Sequence, residues 1–262
     1  MKRFQNWSIS TKVMSISVLT IIIILAGMIF YLIPMVKGKL MEEKKFALQH
    51  VTDVMVSLMA SYEKRVQAGE MTRDDAQKRI ISNITNVRYD GSEYFFVLNT
   101  DGKLLAHGVK QELVGKNASD DLFRDPSGKY FAKDLVTVAK TKEQGFVDYQ
   151  WPKPNQTVPS PKLAYVKMYA PWGWMITTGI YVDNVAAEAS KIQWQIITGT
   201  VVCAIVILCI AFFVSRKVKN ALNDAVHVAN DLSEGNLTVD VEIKSEDETG
   251  RLLRAMKNMV EK

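Results

Sequence analysis

The stretch YFFVLNTDGKLLAHG, Tyr94 to Gly108, decides the fold. Tyr94 to Leu98 is an aromatic and β-branched run of strand character. Asp101-Gly102 is a hairpin turn signal, and Lys103 to His107 is the return strand. Toward the C-terminus, Ser127-Gly128 precedes an amphipathic helix from Tyr130 to about Lys142. Three further strands follow, Gly145 to Trp151, Lys162 to Tyr169 and Trp174 to Tyr181. A connector holding four prolines, Pro152 to Pro161, separates the first two, and Pro171-Trp172-Gly173 turns the chain into the last. Toward the N-terminus, Leu40, Ala47, Leu48, Val51, Val54, Met55, Leu58, Met59 and Tyr62 recur at helical steps. Gly69 interrupts that run, and Thr72 with Asp75 forms a capping box that opens a second helix toward Val87. The expected domain is therefore α+β, a long N-terminal helix followed by a five-stranded antiparallel sheet.

Two apolar stretches flank it. Val13 to Ile33 carries no charge and is long enough for a hydrocarbon core of roughly 30 Å. A secretory signal has a shorter apolar region and a small-residue cleavage site, whereas this run closes on Phe30-Tyr31-Leu32-Ile33-Pro34. The expectation is an uncleaved anchor. Ile196 to Val214 is the second span, with Trp194 as an interfacial aromatic and Arg216, Lys217 and Lys219 beyond it. Lys2, Arg3 and Lys12 precede the first span, so both outer flanks are basic and both termini are expected in the cytoplasm. The expected organisation is a cytoplasmic N-terminus at 1–12, spans at 13–33 and 194–214, an outer domain at 37–190 and a cytoplasmic segment at 215–262.

Composition narrows the function. With 33 basic and 28 acidic residues the net charge is +5, too diffuse for nucleic acid binding. The two cysteines, Cys203 and Cys209, lie inside an apolar run and offer no disulfide framework. His50, His107 and His227 lack metal-ligand spacing, so no metal is expected. There is no Walker glycine loop and no nucleophile–base constellation, so neither cofactor nor catalysis is expected.

Past the second span, Leu222, Ala225, Val226, Ala229 and Leu232 form a helical stripe ended by Gly235-Asn236. Leu237, Val239, Val241 and Ile243 alternate in an extended connector. Asp247 and Glu248 open a second helix striped by Leu252, Leu253, Met256, Met259 and Val260. Two short amphipathic helices call for a partner, and a parallel dimeric four-helix bundle is the economical solution.

Taken together, Tyr94 to Gly108, Gly115-Lys116-Asn117, GFVDYQWPKP (Gly145 to Pro154) and PKLAYVKMYAPWGWMITTGIYVD (Pro161 to Asp183) resemble a single Cache domain of the bacterial chemoreceptor type. Gly235 to Met259 resembles a HAMP signal-relay domain, with Ala221 where that family often has proline. The resemblance implies a PAS-like sheet on a long helix, outside the inner membrane, binding a short carboxylate such as acetate, propionate, pyruvate or lactate. It also implies a homodimer that works with a histidine kinase and a coupling protein. Lys262 falls inside the second relay helix, so a signalling domain is expected beyond this sequence. The sensor half of a chemotaxis receptor is the leading reading; the sensor of a histidine kinase or nucleotide cyclase, and a non-signalling anchor, are the alternatives.

A buried carboxylate needs fixed donors in a mostly apolar pocket. Arg offers a bidentate fork, while Tyr, Trp and His add donors at little flexibility. The candidate ligand site is Arg88, Tyr94, His107, Trp151, Lys162 and Tyr165, with Lys162 on the opposite strand parity from Tyr165. Lys110 to Asp125 is expected to cover the site, and Gly115 to take a positive φ.

Overall fold

The computed structural model describes residues 4–236, 239, 241–243 and 245–260. Lys2, Arg3 and Leu237, used above, lie outside the described residues, as does the Val260 side chain. The chain divides into two compact units, 35–192 and a second built from residues before 35 and after 192.

In the second unit, α1 (Ile9–Gly27) begins at Ser8, whose hydroxyl accepts from the Thr11 N–H at 3.2 Å. Pro34 does not end the helix, which continues into α2 (Ile33–Gln67). A wider π-helical turn, Met28–Leu32, precedes it. That turn sits where a proline ring would otherwise meet the carbonyl four residues back. Both helices, Ile9–Gln67 and Val182–Ser233, contain stretches long and apolar enough to cross a membrane. Ile23, Phe30, Phe213 and their neighbours are exposed there, unlike the core helix of a soluble protein.

The relay region packs α5 (Val182–Ser233) and α6 (Glu248–Val260) around the connector, with Ala225, Val228, Val241, Leu253 and Met256 buried together. Val226, Leu252 and Met259 remain exposed. Asp247 caps α6, accepting from the Thr249 and Gly250 N–H groups at 2.9 and 3.1 Å. Gly250 is required there, because a Cβ would lie 1.7 Å from the Ser245 carbonyl oxygen.

In the 35–192 unit, the Thr72–Asp75 box opens α3 (Arg73–Asn86), with the Thr72 hydroxyl accepting from the Asp75 N–H and bonding the Asp75 carboxylate. The sheet is antiparallel, in the order β1 (Arg88–Tyr89), β2 (Glu93–Asn99), β6 (Trp174–Tyr181), β5 (Pro159–Tyr169), β4 (Gln144–Pro152), with β3 (Leu104–His107) also on β2. The five expected strands are present. The sixth, β1, is two residues long and too short to leave a period in the sequence.

Strand alternation sorts the sheet into two faces. Phe95, Val97, Trp174 and Ile176 pack against Met55 and Met59 of α2 and Ile80 and Ile84 of α3. Tyr94, Phe96, Leu98, Val147, Tyr149, Trp151, Ala164 and Met175 pack under α4 (Phe131–Lys142) and the 108–130 segment. Leu113 and Phe123 anchor that segment to the core, and Gly115 takes φ 89°. At the far tip, Trp172 donates its indole N–H to Glu63 at 2.6 Å, and Arg73 pairs with the same carboxylate at 2.6 Å. This ties the β5–β6 turn to α2 and α3.

Candidate ligand site

Lys162 is the anomaly of the α4-facing side. It is 1% exposed, and its Nζ has no hydrogen-bond partner among the described residues. Strand register seats it between Tyr149 on β4 and Tyr181 on β6, both directly opposite. Its ammonium lies 4.0 Å from the Tyr94 ring centroid and 4.6 Å from that of Tyr181. Ring faces attract a cation but accept none of its three N–H donors conventionally. A buried ammonium so placed offers strong, unspent donors to an anion.

Gly179 makes the room. A Cβ there would lie 2.6 Å from the Leu163 carbonyl oxygen and 3.1 Å from Lys162 Cε, so a side chain would push on both strand and lysine.

His107 stands beside this amine. It is 4% exposed and packs on the Tyr94 ring at 4.9 Å. Its Nδ1 accepts from the Val109 and Lys110 N–H groups at 3.1 and 2.9 Å, which leaves Nε2 as the protonated nitrogen. Burial, then the positive charge of Lys162, lowers its pKa to about 3, so the ring is a neutral donor. Burial likewise lifts the Tyr94 phenol to about 12 and keeps it a donor. Trp151 meets Phe131 edge-on at 4.9 Å, and Lys110 Nζ sits 4.6 Å over its ring.

Four of the six candidates thus share one face: Tyr94, His107, Trp151 and Lys162. Two do not join them. Tyr165 has the opposite parity, packs with Leu48 under α2 and donates to Gln144 at 2.8 Å. Arg88 is exposed, and its guanidinium is spent on the Thr85, Val87 and Gly108 carbonyls, where it ties the end of β3 to β1. Sequence reasoning missed Tyr181 and Glu93. Tyr181 carried a signal in its even spacing from Thr177 and Gly179, but its pairing with Lys162 depends on register. Glu93 is 4% exposed with Oε2 unpartnered, and nothing in the sequence marked it as buried.

A family model described as Single Cache domain 2 matches residues 40–195. The chain belongs to this family. A HAMP domain model matches residues 213–262. The methyl-accepting chemotaxis protein McpP of Pseudomonas putida is 27% identical to it, over 96% of this chain and 46% of its own length. The sensor histidine kinase MctS of Rhizobium johnstonii is 27% identical over 58% of this chain and 32% of its own. The chain spans about half the length, or less, of these relatives. Among solved structures, a periplasmic sensor domain of a chemotaxis protein is 34% identical, with a TM-score of 0.52 over 54% of this chain and 97% of its own. Another, described as the structural basis for carboxylic acid recognition by a Cache chemosensory domain, is 31% identical with a TM-score of 0.52, over 55% of this chain and 97% of its own. In this Cache domain, then, the side of the sheet under α4 carries the one buried lysine among the described residues.

Proposed function

We propose that the chain is the sensory portion of a bacterial transmembrane chemotaxis receptor whose Cache domain binds a short-chain carboxylate at Lys162. The carrying observation is the buried Lys162 ammonium, without a hydrogen-bond partner among the described residues, beside the Tyr94 and Tyr181 rings and the His107 donor; the Tyr181 hydroxyl itself donates to the Pro152 carbonyl at 2.7 Å. A ligand carboxylate supplies the acceptor that the rings do not, and Trp151 lines the same face. The likeness to a carboxylic-acid-recognising Cache domain and to methyl-accepting chemotaxis proteins supports the reading.

In this proposal the Cache domain is outside the inner membrane, the two apolar helices span it, and HAMP lies in the cytoplasm. Exposed Phe46 and Val54 on α2 and exposed Leu252 and Met259 on α6 suit a parallel homodimer. Output passes along α5 to a histidine kinase and coupling protein by helix shifts of about 1–2 Å. The match to a sensor histidine kinase favours, as second reading, the same sensor joined to a kinase. A thermal-shift screen of residues 35–192 against C1–C5 organic acids, amino acids and amines tests the ligand class. Stabilisation by amines or amino acids, with none by acids, overturns it.

A further inference from the structure

Two oppositely charged side chains are each buried against Tyr181, the lysine over its ring and the glutamate in the crevice it lines, and the lysine's charge reaches the carboxyl. Lys162 Nζ and Glu93 Oε2 both lack a hydrogen-bond partner among the described residues, at 1% and 4% exposure. Glu93 opens β2, one residue before Tyr94, and lines a crevice of about 170 Å³ with Tyr181 of β6, Lys44 of α2, and Asn184 and Glu188 of α5. The other cations nearby are already matched. Lys44 pairs with Asp90 at 3.5 Å and Glu188 at 3.1 Å, and Lys153 pairs with Asp183 at 2.6 Å. The phenols of Tyr89, Tyr94, Tyr149 and Tyr181 complete the titratable surroundings, all raised by burial and therefore neutral. That leaves Lys162 as the cation whose charge Glu93 answers.

We propose that Glu93 is the resident countercharge of Lys162, and that a carboxylate ligand takes over this role while Glu93 takes up a proton from solvent through the crevice. The inference rests on the carboxylate reading of the site and adds its regulation. The balance is simple: ligand carboxylate, Glu93 carboxylate and one proton become ligand carboxylate on the Lys162 ammonium plus a neutral Glu93 carboxyl. Burial already raises the Glu93 carboxyl, against the opposing pull of Lys162. An anion claiming Lys162 raises it further. The sign follows: affinity strengthens as pH falls from the bound-state pKa toward the free-state pKa, and is flat outside that window. His107, neutral throughout, does not contribute to the slope. A receptor of this kind reads acid concentration and proximal pH as one quantity, because α5 begins in the crevice wall.

The test is calorimetric titration of the full chain, in detergent, with acetate, propionate, pyruvate and lactate between pH 5.5 and 8, at ~0.5-unit steps. Each is repeated in buffers of differing ionisation enthalpy, which counts protons taken up. The parent is expected to take up a measurable fraction of one proton, with Kd tightening by at most about tenfold per pH unit. Glu93→Gln is expected to bind with no proton uptake and a flat pH profile. Binding by the parent with no proton uptake at any pH overturns the inference and leaves the carboxylate site standing. So does a Glu93→Gln variant that keeps the parental slope. A parent that binds none of the four acids overturns both. If Glu93→Gln does not fold, the parental proton count decides alone.

Discussion

Lys162→Met should separate stability from sensing. The side chain is 1% exposed, and its ammonium is held by two ring faces at 4.0 and 4.6 Å. Each ring contact is worth about 0.5–2 kcal/mol, while the effective penalty for burying an ion is several kcal/mol. Glu93 returns part of that penalty through space, and once the lysine is gone its carboxyl, raised by burial, takes up a proton and leaves no unpaired charge behind. Methionine fills nearly the same volume without the charge. The acid-free variant is therefore expected to be at least as stable as the parent, by up to about 3 kcal/mol. For a domain of this size that is a rise in Tm of up to roughly 6–12 °C. Propionate at about 100 times its Kd would stabilise the parent by ~2.7 kcal/mol and the variant not at all. Scanning calorimetry of residues 35–192, with and without propionate, gives both numbers. A variant that melts below the parent without acid, or one that retains the parental propionate shift, refutes the reasoning.

Three further outcomes are expected. Gly179→Ala, whose Cβ would lie 2.6 Å from the Leu163 carbonyl oxygen, should lose about 1–3 kcal/mol in chemical denaturation and weaken acid binding as Lys162 is displaced. Arg88→Ala should lower stability by roughly 1–3 kcal/mol through its three lost carbonyl contacts, and leave the Kd for propionate within about twofold. His107 is neutral when folded, with a pKa of about 3 against an ordinary value near 6.5, so the unfolded chain binds the extra proton. Its contribution is complete above pH ~6.5 and is lost as pH falls toward about 3, at no more than ~1.4 kcal/mol per unit. The Tm of His107→Gln should lack that part of the slope; an identical pH profile would refute the assignment.

Periodicity revealed the elements because each buries a face. The Thr72–Asp75 box, the Asp101-Gly102 turn and the alternation along β4 and β5 are local, and local chemistry sets them. The site is less legible because it depends on register across strands. That Lys162 sits between Tyr149 and Tyr181 follows from pairings 13 and 19 residues apart along the chain. Arg88 had the right charge, but its guanidinium is consumed by backbone carbonyls that only the folded end of β3 supplies. Tyr165 was separable from Lys162 by parity alone, and its place under α2 is what period two dictates. Glu93 could not be found by composition, since an acid opening a strand is ordinarily solvated; the β1 pairing and α5 bury it.

In the proposed site, the buried charge of Lys162 also bears on inheritance. A lineage that gains nothing from detecting acids has no reason to keep a destabilising cation in its sensor. Position 162 should then drift to Met or Leu early, while the Trp172–Glu63–Arg73 knot, which only supports the fold, persists. Propagating the gene under selection for protein abundance alone, without selection for response, should reproduce that order of loss. On the proposed reading of the site, lysine at this position marks a sensor still in use.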